Sequence, residues 1–314
     1  MKGSPDLIVA PRSVDEIKSL ADVGVDAFIV GSKRFSLVAV ADFDEDTMQV
    51  AVGLVHELGK KVYLAIDAVF SNDLLVELEV YLHGIKHLPF DGIRVADLGA
   101  YMLLREIMPE RRLHLVDAMM LTNYETVNFW GSKGVERVRL AHELTLGEVL
   151  EIKEKSNIEV ELLVQGAPLM FTSRRKLIDN YLEFKRTIGI DLELGEDGNY
   201  LFDAERGLHY PIYENEHGTH IYGGKDVCMV DDLAQMLNAN VDAFYLESLT
   251  YGVDEFKKVV QLYVMAIDLA KSDPEKYAKA AAALYGEILK LQPEFRQTDR
   301  GFYYKPTIYK NQQK

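Results

Sequence analysis

Short apolar, β-rich runs alternate along the chain with longer amphipathic ones. Residues 7–10, 26–30, 62–66, 92–95, 113–116, 138–140 and 159–164 read as seven strands, and residues 243–246 as the last. They are short and apolar on both faces, as strands are when helices cover the sheet they build. Helical patterns fill the gaps. Ser13 is placed to cap a helix that ends near Gly24, residues 44–58 form a second that Gly59 stops, and a third covers residues 72–82. Residues 123–130 and 145–155 are the best signalled of the rest. Thr145-Leu146-Gly147-Glu148 fits a capping box, in which the hydroxyl and the glutamate satisfy free backbone donors at the helix start. A helix through residues 253–271 follows the last strand.

Strand-then-helix alternation repeated about eight times is the signature of a closed parallel barrel. The expected fold class is therefore α/β, a TIM-type (β/α)8 barrel, with an open doubly wound sheet as the competing architecture. Val25-Asp26-Ala27-Phe28 and Val241-Asp242-Ala243-Phe244 echo one another, which fits repeated βα units. Two stretches break the rhythm. Residues 171–232 are too long for a plain βα loop and carry turn signals at Glu196-Asp197-Gly198-Asn199 and Gly223-Gly224. They read as an insertion on the barrel rim, between the last two strands. After residue 272, Asp273-Pro274 opens a helix over residues 275–291, and residues 301–309 are aromatic and expected to be extended. The whole, residues 1–314, is expected to be one domain with an insertion and a tail at about 272–310.

Composition narrows the function. With 314 residues, 48% of them hydrophobic and 27% charged, the chain can bury a large core without a disulfide or metal staple. A formal net charge of −15 repels phosphate backbones at long range, so any RNA contact needs a local basic patch or a basic partner. The one cysteine, Cys228, allows no intramolecular disulfide. It also cannot hold a cysteine-ligated iron–sulfur cluster by itself. No signal-like or bilayer-spanning apolar run is evident, so a cytoplasmic location without a membrane partner is expected.

Functional groups of a barrel enzyme sit at the C-terminal ends of its strands. Asp67, Asp97, Asp117, Glu143 and Glu247 fall there and form a candidate ring of acids, with His142 as an acid/base. Of these, Asp117, His142, Glu143 and Glu247 are the candidate catalytic residues. Lys33-Arg34 and Arg174-Arg175-Lys176 are the basic clusters expected on that rim, suited to a phosphate or carboxylate, and Gln165 joins them as a candidate substrate contact. Each also has a plain reading as a solvated loop residue or helix cap. His209, His217 and His220 lie in the insertion with Glu214 and Glu216, but no helix aligns them, and no metal site is expected. His56-Glu57-Leu58-Gly59-Lys60 and His142-Glu143-Leu144-Thr145-Leu146 lack the second histidine of a zinc-protease helix. Neither Gly-x-Ser-x-Gly nor a glycine-rich phosphate loop occurs. Cys228, between Val227 and Met229, looks like a small core residue.

Several motifs occur together in a set order. They are Val9-Ala10-Pro11, Val25-Asp26-Ala27-Phe28, Lys33-Arg34-Phe35-Ser36-Leu37, His56-Glu57-Leu58-Gly59-Lys60-Lys61-Val62-Tyr63 and Thr122-Asn123 with Phe129-Trp130. Then follow Arg137-Val138-Arg139-Leu140-Ala141-His142-Glu143-Leu144, Gln165-Gly166-Ala167, Glu216-His217-Gly218-Thr219, Lys225-Asp226-Val227-Cys228 and Arg300-Gly301-Phe302. Over about residues 7–304 the chain resembles the collagenase-like peptidases of family U32. The resemblance implies a TIM-type barrel. It also implies a choice of roles. The family carries a protease label, yet many members look like RNA- or quinone-hydroxylation factors that bind a four-iron cluster through four cysteines. One branch acts in making 5-hydroxyuridine at the tRNA wobble position, using prephenate, and in some bacteria resembles a pair of proteins. This chain looks like the shorter of the two.

The departures from the pattern sharpen that reading. Leu169 and Lys176 stand where the family has two cluster cysteines, Gln165 replaces a histidine, and the later cysteine pair has no counterpart. A glutamine of the fifth-strand motif falls at Ala118, an arginine becomes His142, and Glu-Gly-Arg becomes Glu247-Ser248-Leu249. Cluster irons need soft thiolate ligands, which leucine and lysine cannot supply. The resemblance thus implies a subunit without a cluster, acting on tRNA with a cysteine-bearing paralogue that carries the 4Fe–4S group. The alternatives are a collagenase-like peptidase, or a non-catalytic scaffold whose rim arginines hold prephenate or another small dicarboxylate.

Overall fold

The computed structural model of the chain describes residues 3–116, 121–189, 199–294 and 296–305. Seven strands come first: β1 (Asp6–Val9), β2 (Ala27–Val30), β3 (Lys61–Ile66), β4 (Gly92–Val95), β5 (Leu113–Leu115), β6 (Val135–Arg139) and β7 (Glu159–Gly166). An excursion follows through β8 (Leu169–Ser173), β9 (Asn199–Asp203), β10 (Leu208–Asn215), β11 (Gly218–Tyr222) and β12 (Lys225–Cys228). The chain then returns in β13 (Ala243–Leu246). β1 to β7 pair in parallel in chain order, and β13 pairs in parallel with both β1 and β7. That last pairing closes an eight-stranded barrel and excludes the open sheet.

Helices cover the outside: α1 (Val14–Ala21), α2 (Glu45–Glu57), α3 (Asn72–Ile85), α4 (Leu98–Ile107), α5 (Tyr124–Ser132) and α6 (Leu146–Lys155). The rest are α7 (Leu177–Thr187), α8 (Ala234–Asn238), α9 (Val253–Ser272) and α10 (Pro274–Leu291). The helix starts follow from the local chemistry. Ser13, Asp44 and Asn123 each accept the backbone N–H three residues on, and both halves of the Thr145–Glu148 capping box are formed. Gly59 ends the turn after α2 at φ +67°, a left-handed conformation that suits a residue without a Cβ.

Side chains alternate along the strands and build two cores. Val62, Leu64 and Ile66 of β3 face the helices and join the large outer core, whereas Tyr63 and Ala65 point into the barrel. There they meet Ile8, Ala27, Ile29, Ala243 and Tyr245. Arg94, His114, Arg137 and Glu161 of β4 to β7 complete the interior, all but inaccessible to solvent.

The excursion makes a second sheet in the antiparallel order β8-β11-β10-β9, with α7 beside it, in the stretch that broke the rhythm of the sequence. β12 runs back antiparallel to β7, with Cys228 opposite Gln165. The turn between β10 and β11 is pinned to the loop after β2: Arg34 pairs with Glu216, and the His217 Nε2 lies 2.8 Å from the Lys33 carbonyl oxygen. After α10, β14 (Gln297–Asp299) pairs in parallel with β12. The extended tail expected at residues 301–309 is corrected: residues 301–305 form a turn, and residues 306–309 lie outside the described part. Within that turn the Tyr303 hydroxyl donates to the Leu163 carbonyl, 2.9 Å, so the ring fills a core position instead of continuing a strand.

Candidate functional site

Charges inside the barrel are arranged in two tiers. At the base and middle, Arg94 donates two hydrogen bonds of 2.7 Å to the two oxygens of Glu161, and neither side chain has any solvent access. Arg137 reaches Asp6 at 2.8 Å and Glu159 at 2.7 Å, and Lys61 reaches Asp6 from the other side. Burial opposes ionisation of Glu161, but Arg94, helped by Arg139 and Arg137, outweighs it and holds the carboxyl below its ordinary range. His114 is enclosed beside these arginines, and burial together with Arg137 and Arg94 pushes its imidazole far down, so it stays neutral.

The mouth is different. Asp67 follows β3, Arg139 ends β6, and Glu247 follows β13, so all three stand at C-terminal strand ends. A cavity of about 270 Å³ opens there, walled by Leu37, Val38, Ala68, Val69, Leu169 and Phe171, with Asp67, Asp97, Arg139 and Thr172 supplying polar groups. A smaller recess of about 40 Å³ shares Val38, Arg139 and Leu169 with it and adds His142, Tyr222, Tyr245 and Glu247. Leu169, Phe171 and Thr172 belong to β8, so the insertion forms one wall of the mouth.

Asp67 is 4% exposed. Its Oδ1 accepts the Ser36 hydroxyl and the Leu37 N–H, both at 2.8 Å, while its buried Oδ2 has no donor among the described residues. Arg139 has a single long bond, 3.4 Å to the Val116 carbonyl, and its guanidinium stands 5.2 Å from the Tyr245 ring centroid. Among the described residues no carboxylate pairs with it. Glu247 accepts the Tyr245 hydroxyl at 2.7 Å and the Leu249 N–H at 3.1 Å, and burial, against both of these bonds, pushes its carboxyl up. Burial and the nearby Arg139 bring His142 down to about 4, so its imidazole is neutral at pH 7 and can accept or donate one hydrogen bond. Gly166 sits at φ +100° beside this group, and a Cβ there would lie 2.4 Å from the Glu247 carbonyl oxygen, so no larger residue fits.

Of the residues the sequence nominated, His142 and Glu247 meet at the mouth, and Asp67 and Asp97 of the expected acid ring also reach it. Asp97 Oδ1 is already engaged as the cap of α4. Asp117 lies outside the described residues. Glu143 is exposed and lines neither cavity. Gln165 is found elsewhere than expected of a substrate contact: it is fully buried, its amide donating to the Tyr251 hydroxyl at 2.6 Å and accepting the Tyr263 hydroxyl at 3.0 Å. It fastens β7 to α9. Arg34 is engaged by Glu77 and Glu216. Lys33, Arg174, Arg175 and Lys176 are exposed and wall neither cavity. The basic residues 174–176 come after the end of β8, beyond the part of that strand that walls the mouth. Arg139 is the residue that sequence reasoning missed as a site group. The alternation Arg137-Val138-Arg139 carried the signal, because period two puts both arginines on the inner face.

The donor set present does not fit a four-iron cluster. Leu169 is part of the cavity wall and Lys176 is exposed. Cys228 is fully enclosed between β7 and the outer helices, and burial pushes its thiol up to about 12, far from a thiolate ligand. Among the described residues, no three histidine, cysteine or acidic side chains gather to hold a metal ion. His217 and His220 are engaged instead with Lys33 and Asn215. No helix among the described residues is long and apolar enough to cross a membrane.

Comparison with known proteins agrees with this geometry. A putative dihydrodipicolinate synthetase from Pseudomonas aeruginosa superposes with a TM-score of 0.50 over 92% of this chain and 83% of its own, at 9% identity, which shows the barrel fold alone. The chain is 36% identical to a "tRNA hydroxylation protein P2" of Bacillus subtilis over 97% of this chain and 99% of that one. It is 26% identical to a "tRNA hydroxylation protein P1" of the same organism, over 87% of this chain but only 65% of that longer protein. The model of peptidase family U32 matches residues 12–313. With the barrel, the ordered motifs and this match in hand, the chain belongs to peptidase family U32.

Proposed function

We propose that this chain is the cluster-free subunit of a tRNA-hydroxylation system, acting in 5-hydroxyuridine formation with a longer, cysteine-bearing relative. The observation that carries the reading is end-to-end similarity to a tRNA hydroxylation protein in a chain whose own residues do not fit a cluster. One organism holds both a relative of matching length and a longer one, which supports a division of labour between two chains. Any 4Fe–4S group of the system belongs on the longer partner.

The surface supports work in a complex. Helix α7 buries none of its side chains, and Leu177, Tyr181, Phe184 and Ile188 form an exposed apolar stripe on one face of it. Arg174, Arg175 and Lys176 precede it, exposed, on a chain of net charge −15. That row is where this subunit meets tRNA phosphates. Substituting all three by alanine is expected to weaken tRNA binding by the complex and to flatten its salt dependence by up to about three charges. An unchanged salt slope would remove the row from the interface.

The deciding experiment is deletion of the gene in a strain without an oxygen-dependent route to the same nucleoside. Mass spectrometry of total tRNA should then show 5-hydroxyuridine lost, and unchanged levels would end the reading. The family's peptidase label finds no support in the mouth, where neither a serine nor a cysteine lines the cavity among the described residues.

A further inference from the structure

The mouth cavity holds two charged groups of opposite sign that do not satisfy one another. Asp67 is fixed by Ser36 and Leu37 on one oxygen, which leaves the other, Oδ2, buried and without a donor among the described residues. Arg139 is steadied by the face of Tyr245 and the Val116 carbonyl, and its remaining guanidinium donors have no carboxylate among the described residues. Buried polar atoms are normally hydrogen-bonded, and the exceptions call for an explanation. Others, such as Arg94 Nε and the His114 ring nitrogens, are enclosed at the base; Asp67 Oδ2 borders this cavity, where Arg139 makes only one long hydrogen bond among the described residues. The rest of the wall is apolar, from Leu37, Val38, Ala68, Val69, Leu169 and Phe171. At about 270 Å³ the space lies just under the range usual for drug-sized ligands, about 300–1,000 Å³, and suits a small metabolite.

Sign and number select the chemistry. Among the described residues three carboxyl groups, Asp67, Asp97 and Glu247, and one guanidinium, Arg139, line the connected cavities. Asp97 is occupied as a helix cap, and His142 is neutral. A dianion would find one cation, with Asp67 and Asp97 on the same wall, so its second carboxylate would lack a counter-charge among the described residues. A monoanion with an adjacent donor meets each group with its complement.

We propose that the barrel mouth binds a small monocarboxylate bearing a hydroxyl or amino group next to its carboxylate and an apolar body. The carboxylate takes the free edge of Arg139. The hydroxyl or amine donates to Asp67 Oδ2. The body lies against Val38, Val69, Leu169 and Phe171, so the insertion supplies part of the binding wall through β8. This replaces the dicarboxylate that the exposed rim arginines had suggested. It goes beyond the tRNA-hydroxylation reading and does not depend on it, because it concerns the isolated chain.

Ligand-observed NMR and calorimetry on the purified full-length protein test it. The probes are L-phenyllactate and L-phenylalanine, which carry the donor, 3-phenylpropanoate, which lacks it, and phenylsuccinate, which adds a second carboxylate. Phenyllactate or phenylalanine should bind at about 1 mM or tighter. Phenylpropanoate and phenylsuccinate should each bind at least about tenfold more weakly. Arg139→Gln should weaken all binding about tenfold or more. Asp67→Asn should erase the preference for phenyllactate over phenylpropanoate. Circular dichroism would establish that both variants are folded, and the ligand series stands without them. Absence of binding by both donor-bearing probes overturns the proposal, as do tighter binding of phenylsuccinate or an unchanged affinity in folded Arg139→Gln. Loss of 5-hydroxyuridine on gene deletion is read separately, so either idea can fail alone.

Discussion

The base and the mouth of the barrel use the same residue types to opposite ends. At the base, Arg94 is matched by Glu161, and Arg137 by Asp6 and Glu159. At the mouth, Arg139 has no carboxylate partner among the described residues and Asp67 keeps a buried oxygen without a donor. Paired charges in a closed space specify how the strands meet. Unpaired charges around an open space are a cost to the folded state that a ligand can relieve. The difference separates residues that hold the barrel together from residues available for its task.

The comparison can be broken first at the base. Glu161→Ala leaves the Arg94 guanidinium buried and uncompensated, and should destabilise the protein by about 3–5 kcal/mol. Replacing both partners with apolar residues, Arg94→Met with Glu161→Leu, should restore much of that. Urea unfolding measures both, and a loss under about 1 kcal/mol in the single variant would mean that solvent reaches the pair.

A smaller effect depends on pH. His142 has a folded-state value of about 4 against an ordinary 6.5. Between those limits the unfolded chain binds the proton and the folded chain does not, so acidification from pH 6.5 toward 4 destabilises the fold through this residue. His142→Gln should reduce that slope by up to one proton, with no change above pH 7. Parallel stability curves for the two proteins below pH 6 would show that His142 is open to solvent.

The smallest effect on stability should come from the mouth. Asp67→Asn and Arg139→Gln should each change stability by less than about 1 kcal/mol, because asparagine keeps an acceptor for Ser36 and Leu37, and Arg139 makes one long hydrogen bond and no ion pair among the described residues. Thermal unfolding provides the measurement. A loss as large as that of Glu161→Ala would show that the mouth is as structural as the base.

Much of the barrel was legible because it is local. The eight strands are short apolar runs, and the helix starts at Ser13, Asp44, Asn123 and Thr145 depend on residues only three positions apart. The insertion was less legible. Helix α7 packs none of its residues into the core, and the ladder of β8 with β11 joins residues more than forty positions apart. Residues 301–309 carry the aromatic side chains that favour a strand, yet Tyr303 is held by the core beside Leu163 in a turn. In the site, acid and basic residues at strand ends were visible, but whether each reaches the cavity was not. Gln165 looked available and is enclosed by two tyrosines, whereas Arg139 drew no notice and stands in the mouth.

By itself the sequence determined the repeat that winds the barrel and the absence of thiolates for a cluster. Both are matters of composition and short-range order. Only the tertiary structure decided which charges are spent and which are free. Arg94 meets Glu161 across 67 residues of chain, and Arg137 meets Asp6 across 131. A charge's partner is set by closure of the ring, and local pattern carries no record of it.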